Sequence, residues 1–177
     1  MTTVAVIATG PSLTEEAVET VRHLPCIAVS DAYRLAPWAD ALVSSDKAWW
    51  RVHQPDFAGR KFTLADVAGV EKVALAMGSN SGLLACHVAV HELGAKRLLL
   101  LGIDMHGTHF FGLHPPELKN TKPERFEAMK KQFSEWHYQH RSVQVWNCNE
   151  TSGLKCFPLM SLEAALARLA ESSPDAA

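Results

Sequence analysis

The chain has 177 residues, with 17 Lys or Arg against 19 Asp or Glu, and its formal net charge is -2. Hydrophobic residues make up 47% and charged residues 20%, which is the composition of a globular protein. This length fits one domain with a core large enough to border a ligand pocket. With no basic excess, neither nucleic acid nor an anionic membrane is an expected partner.

Cysteine usage and the first residues bear on cellular location. The four cysteines are dispersed, and no C-x-x-C pair occurs, so we expect reduced thiols in a cytoplasmic protein. The N-terminal apolar run is short and lacks a basic segment before it, which argues against a signal peptide. No apolar stretch approaches the length of a membrane span.

The first half of the chain alternates short apolar runs with helical patterns. Residues 4–8 predict a buried strand, and Ser12-x-x-Glu15 predicts a capping box opening a helix over residues 13–22. Strands at 26–29 and 41–44 and a helix at 47–53 follow. The pattern over 60–76 is weaker and favours one or two short strands, the better one at 72–75.

The second half continues the alternation. Ser81 is predicted to cap a helix that runs to residue 93, where Gly94 ends it. Four leucines at 98–101 predict a fully buried strand. A long His-rich loop occupies residues 102–122, and loops of this length are usually functional or disordered. A helix at 124–140, a strand at 143–146 and a helix at 162–169 complete the chain.

This order of elements predicts a single Rossmann-like α/β domain over residues 1–171, with a flexible tail at 172–177. Strands that alternate with helices form right-handed βαβ units, so the sheet should be mostly parallel and flanked by helices. Ligands in such folds bind beyond the carboxyl ends of the strands. That rule selects residues 9–13, 44–46, 78–82 and 102–114.

Two turns rich in Gly and Ser stand at these places. In each, glycine permits a close backbone approach and a helix N-terminus follows, which favours phosphate. The alternative is a plain strand-to-helix turn in the first case and simple N-capping in the second. The candidate phosphate-binding residues are Thr9, Gly10, Pro11, Ser12, Ser79, Asn80, Ser81 and Gly82.

Two aspartates and three histidines are further candidates. Asp46 and Asp104 end predicted strands, where a carboxylate can accept from a ribose hydroxyl, bind a divalent cation or cap a helix. His106, His109 and His114 share one loop with Asp104. One of them can serve as a general base or contact a ligand, the group can hold a metal, or all three are exposed loop residues.

Two other pairs have weaker patterns. His87 and His91 have the spacing of a zinc clamp, but Val88 stands where a zincin has its glutamate. We therefore interpret the histidines as the polar edge of an otherwise apolar helix, and we assign no firm metal site. Trp49 and Trp50 can stack on a base or sugar, although core or interface packing is the favoured interpretation.

Several of these segments resemble known families. The stretch from Val6 to Leu13 resembles the "GPSL" start of the bacterial family 42 sialyltransferases and is similar to the MptE-like pterin diphosphokinases. Asn80-Ser81-Gly82, together with Gly102-Ile103-Asp104, resembles the second conserved block of the sialyltransferases. The stretch from His109 to His114 resembles the segment with their general base. Small phage-encoded proteins of unknown role have a closely similar "G-x-D-M … T-H … H-P" arrangement.

The resemblance implies a glycosyltransferase-like protein that binds a nucleotide or nucleotide-sugar, with a CMP-type ligand favoured. Gly10, Ser12, Ser81 and Gly82 would then hold phosphate, and His109 would deprotonate an acceptor hydroxyl. Two alternatives remain. One is a diphosphokinase that holds Mg²⁺ with Asp46 or Asp104. The other is a non-catalytic phage morphogenesis or host-interaction module. We leave assembly into a homo-oligomer open.

Overall fold

The computed structural model describes residues 1–172, in which strands and helices alternate along the chain. The strands are β1 (Thr3–Ile7), β2 (Cys26–Val29), β3 (Ala41–Val43), β4 (Arg60–Thr63), β5 (Glu71–Lys72), β6 (Arg97–Leu101) and β7 (Gln144–Asn147). The helices are α1 (Glu15–Thr20), α2 (Lys47–His53), α3 (Ser81–His91), α4 (Arg125–Gln139) and α5 (Leu162–Glu171), and a 3₁₀ helix covers Ser30–Arg34.

The strands form one sheet in the order β5-β4-β3-β2-β1-β6-β7, and every pairing is parallel. The predicted Rossmann-like α/β fold is therefore confirmed. The chain builds outward from β1 to β5, then returns to place β6 on the other side of β1. This topological switch point lies between β1 and β6, which is where ligand clefts form in such sheets.

Helices cover both faces of the sheet. Successive side chains of a strand point to opposite faces. Val4 and Val6 of β1 therefore pack in the core beneath α3 and α4, while Ala5 and Ile7 pack against α1, α2 and α5. Because the central strands are covered on both sides, they are almost continuously apolar, which is why the sequence revealed them. The tryptophans Trp49 and Trp50 lie in this second core and are buried, as the favoured interpretation predicted.

Three predicted details of the elements are wrong, and one element was not predicted. Helix α1 begins at Glu15 with Thr14 as its N-cap, so Ser12 forms no capping box. Asn80, and not Ser81, caps α3, because its Oδ1 accepts from the backbone N–H groups of Gly82 and Leu83. The better strand between residues 60 and 76 is β4, and β5 ends at Lys72. The 3₁₀ helix was not predicted.

The structure also bears on the expectations for the cysteines, for membrane spans and for the C-terminal tail. The four cysteines are free thiols. Burial, followed by the charge of Asp40, raises the pKa of the Cys26 thiol to about 12, which makes that thiol unreactive. Within residues 1–172, no helix is both long and apolar enough to cross a membrane. Of the predicted tail, residues 173–177 lie outside the described residues.

Candidate functional site: a cleft at the carboxyl edge of the sheet

A cleft of about 560 Å³ opens at the carboxyl ends of the parallel strands. It is bordered by the segments that follow β1, β3 and β6 and by the N-terminus of α3. Most residues that the sequence singled out come together here, although they are far apart in the chain. These are Thr9, Gly10, Asp46, Ser79, Asn80, Ser81, Gly82, Asp104, His106, His109 and His114. Pro11 and Ser12 do not line the cleft.

The first Gly/Ser turn is joined to the segment after β6 across the switch point. Ser12 donates from its backbone N–H and its hydroxyl to the two carboxylate oxygens of Asp104, at 2.8 and 2.6 Å. Asn149 Nδ2 donates to the same carboxylate at 2.6 Å. Asp104 is 2% exposed, so these three donors stabilise a buried charge. The donors of Ser12 are thus used within the protein.

Two glycines allow this close approach. The Gly10 N–H donates to the Gly102 carbonyl at 2.9 Å. A Cβ at Gly10 would lie 2.5 Å from both that carbonyl oxygen and Asp104 Oδ2. Gly102 has a φ of +67°, and a Cβ there would lie 2.8 Å from the Ala8 carbonyl oxygen. Side chains larger than hydrogen would therefore force the two segments apart.

The second Gly/Ser turn is fixed by the end of β3. The Ser45 backbone N–H donates to Ser81 Oγ at 2.9 Å, and the Ser45 hydroxyl donates to the Ser79 carbonyl. Among the described residues, no protein acceptor takes the backbone N–H groups of Ser79, Asn80 and Ser81. These free N–H groups stand at the positive end of the α3 dipole, which favours an anion in the cleft.

Charged side chains at the cleft favour an anion as well. The exposed cations Lys47, Lys119 and Arg125 line it. The exposed carboxylate that faces them is Asp46, whose Oδ1 also caps α2 by accepting from the Ala48 N–H at 2.8 Å. Since Asp104 is buried and its oxygens accept three hydrogen bonds, exposed positive charge exceeds exposed negative charge at this site.

His109 is held at the cleft by the first turn and by an aromatic ring. Its Nδ1 lies 3.0 Å from Thr9 Oγ1, and its ring stacks on Phe111 with centroids 4.8 Å apart. Burial lowers the pKa of His109 below its usual 6.5, and the neighbouring His114 lowers it further. His109 is therefore neutral at pH 7, and it can accept a proton when Nδ1 carries the ring hydrogen.

A buried carboxylate lies behind these histidines. Asp31 is 1% exposed, and its Oδ2 accepts from Trp49 Nε1 at 2.8 Å. His114 Nδ1 lies 3.8 Å from Oδ2, and His53 Nε2 lies 3.8 Å from Oδ1. Burial lowers the pKa of His114, while the Asp31 charge opposes that effect. Asp31 thus sets the electrostatic environment of the histidine that contacts His109.

Together, Asp31, His53 and His114 have the composition of a metal site. Their ligand atoms all lie within 4.8 Å of one another, and one carboxylate with two imidazoles suits a transition metal better than Mg²⁺. An Arg34 guanidinium nitrogen, however, lies 2.8 Å from Asp31 Oδ1 and already pairs with its charge. This cation disfavours a second one, so the cluster fits a charged support for His114 better than a metal centre.

Sequence reasoning missed Asp31, His53 and the three cleft cations. Asp31 follows the last residue of β2 by two positions, so the rule on carboxyl ends of strands would have selected it had it been applied to β2. No local sequence pattern indicates His53, because it reaches Asp31 only through the packing of α2 on the 3₁₀ helix.

Comparison with protein-family models, curated proteins and solved structures found no match for this chain.

Proposed function

We propose that this protein binds a nucleotide or nucleotide-sugar in the cleft and acts as a glycosyltransferase-like enzyme, with His109 as its general base. The observation that supports this most is the convergence of the free N–H groups at Ser79–Ser81, three exposed cations and a neutral histidine on one cleft. The cleft also lies at the switch point of a parallel sheet, where nucleotides commonly bind. A CMP-type ligand is favoured by the sequence resemblance alone.

The chemistry follows from these groups. The N–H groups before α3 would bind the nucleotide phosphate and stabilise the negative charge that develops on it as the glycosidic bond breaks. His109 would take the proton from the attacking hydroxyl of the acceptor, since its lowered pKa keeps it neutral at pH 7. In this scheme the first turn positions His109 through Thr9, and Ser12 stabilises the turn by binding Asp104.

A diphosphokinase is the second candidate, and the exposed Asp46 carboxylate at the cleft favours it. Asp46 would hold Mg²⁺, which would neutralise negative charge on the nucleotide phosphates. Asp104 is less suited to this role, because Ser12 and Asn149 already occupy its oxygens. The non-catalytic module has less support, since Trp49 and Trp50 are buried and form no surface patch for a partner.

Calorimetric titration with CMP, CDP, UDP and ATP, each with and without Mg²⁺, tests the proposal. We expect metal-independent binding of a cytidine nucleotide. Binding only with Mg²⁺ would favour the diphosphokinase, and no binding of any nucleotide would refute both candidates. The release of CMP from a CMP-sugar then tests the base: His109→Ala should lose most of this activity, and a variant with full activity would remove His109 from the mechanism.

A further inference from the structure

Three histidines form a cluster on α3 and at the end of α4, and the cluster shares no residue with the cleft lining. His87 and His91 lie one turn apart on α3, and His140 directly follows the last residue of α4. The ring centroids of His87 and His91 are 4.2 Å apart, and those of His91 and His140 are 5.4 Å apart. One candidate ligand atom from each histidine lies within 4.8 Å of those of the other two.

Two of the nitrogen atoms are spaced as ligands of one ion are. His91 Nε2 lies 3.1 Å from His140 Nε2. Tetrahedral zinc with Zn–N bonds of about 2.0–2.1 Å places two nitrogen ligands about 3.3 Å from each other. A small shift of either side chain would therefore bring both lone pairs onto one metal ion.

A backbone carbonyl orients His140 for this role. His140 Nδ1 lies 2.8 Å from the Trp136 carbonyl oxygen, which can only accept, so Nδ1 carries the ring hydrogen. In the neutral ring, Nε2 then has a lone pair directed at the cluster. A hydrogen bond from the non-ligating nitrogen to a carbonyl is the usual support of a metal-bound histidine. The His140 ring also stacks on Trp136, with centroids 4.3 Å apart.

One ring nitrogen of His87 has no hydrogen-bond partner. Its Nδ1 is buried and makes no hydrogen bond to any of the described residues. An unpartnered buried nitrogen is unfavourable, and a bond to a metal ion would satisfy it.

We propose that His87, His91 and His140 bind a divalent transition-metal ion of the zinc class, which joins α3 to the end of α4. Three imidazoles favour such an ion over Mg²⁺ or Ca²⁺, which prefer oxygen ligands. A small cavity bordered by His87 and His91 leaves room for a fourth ligand such as water. Glu92 borders the same cavity, but it pairs with Arg60 at 2.9 Å, so we do not assign it to the ion.

The test is titration of chelator-treated full-length protein with Zn²⁺ and with Co²⁺, whose visible absorption reports tetrahedral coordination. We expect one equivalent to bind with a tetrahedral Co²⁺ spectrum and a raised unfolding temperature. His91→Gln and His140→Gln should each weaken this binding at least roughly 100-fold. Because His91 is exposed, its variant should fold normally, which circular dichroism verifies.

Two further variants locate the ion. His23→Gln replaces an exposed histidine whose Nδ1 lies 3.0 Å from the Thr20 carbonyl oxygen, and this variant should bind the metal ion like the unsubstituted protein. His53→Gln alters the group formed by Asp31, His53 and His114, and this variant should also retain the tetrahedral Co²⁺ spectrum. The proposal is wrong if neither metal binds, if His91→Gln and His140→Gln bind normally, or if His53→Gln abolishes the spectrum. In those cases the His91–His140 contact is a hydrogen bond between two helices.

Discussion

Both Gly/Ser turns contain glycine and serine and precede a helix, but their donors have different partners. In the first turn, the Ser12 N–H and hydroxyl bind the buried carboxylate of Asp104, so the protein itself supplies the anion. In the second turn, the Ser79–Ser81 N–H groups have no protein acceptor among the described residues and border the cleft. The composition of a turn thus predicts that the backbone can approach an anion, and the rest of the fold decides which anion that is.

The largest effect expected from this difference is on stability. Asp104→Ala removes the acceptor of Ser12 and Asn149 and should lower the free energy of unfolding by about 3 kcal/mol, because the buried Asn149 amide and the two partly buried donors of Ser12 lose a charged partner. Urea denaturation measures this. The control Asp46→Ala removes an exposed cap and should cost about 1 kcal/mol. Equal losses for both variants would contradict the structural role of Asp104.

Gly10→Ala probes the close contact of the two segments. The added methyl group would lie 2.5 Å from Asp104 Oδ2 and from the Gly102 carbonyl oxygen, so we expect a loss of about 2 kcal/mol in urea denaturation. Gly69→Ala is the control. Its φ is +74° with no atom within 4 Å of the new Cβ, so backbone strain alone should cost about 1 kcal/mol. A tolerated Gly10→Ala would show that the segments separate easily.

The cleft that the second turn borders should be detected by ligand binding. Arg125→Ala removes an exposed cation at the cleft, and we expect CMP binding to weaken about fivefold, equivalent to about 1 kcal/mol. Calorimetry at constant salt measures the change. Arg22→Ala removes an exposed arginine that pairs with Glu19 and does not line the cleft. It should bind CMP normally, and equal weakening in both variants would argue against specific binding at the cleft.

The smallest expected effect concerns pH. Burial lowers the folded-state pKa of His87 to about 4 and lowers those of His109 and His114 from 6.5. Below about pH 6.5 these histidines bind more protons in the unfolded chain than in the folded protein. Their effect on stability is therefore absent above pH 6.5, and stability falls as the pH drops toward 4. We expect a loss of less than about 1 kcal/mol between pH 7 and 5, since the rings are partly solvated. The measurement is the urea midpoint of the metal-free protein at pH 7 and at pH 5. Equal midpoints would contradict the expected loss of stability.

Much of the fold could be predicted, because strands covered on both faces are continuous apolar runs. The sequence pattern wrongly favoured residues 72–75 over β4, because β4 begins with the charged residues Arg60 and Lys61. Their charge hides a strand that the structure stabilises by pairing Arg60 with Glu71 at 2.8 Å and Glu92 at 2.9 Å. Cleft residues were found where glycine or the end of a strand marked them.

The rest of the site depends on contacts between distant parts of the chain. The bond from Ser12 to Asp104 joins residues 92 positions apart, and no local pattern shows that it replaces a capping box. His87 and His91 alone indicated only a polar helix edge. Their contact with His140 depends on the packing of α4 against α3. His140 lies 49 positions after His91 in the sequence.

Backbone amide chemical shifts during titration with CMP distinguish the two turns, since they report both turns at once. We predict saturable shifts for the amides of Ser79, Asn80 and Ser81, and much smaller ones for Ser12, whose N–H is held by Asp104. The pattern should be the same with and without Mg²⁺. Shifts confined to the first turn, or no saturable shift with CMP, CDP, UDP or ATP, would show that the second turn does not bind a nucleotide.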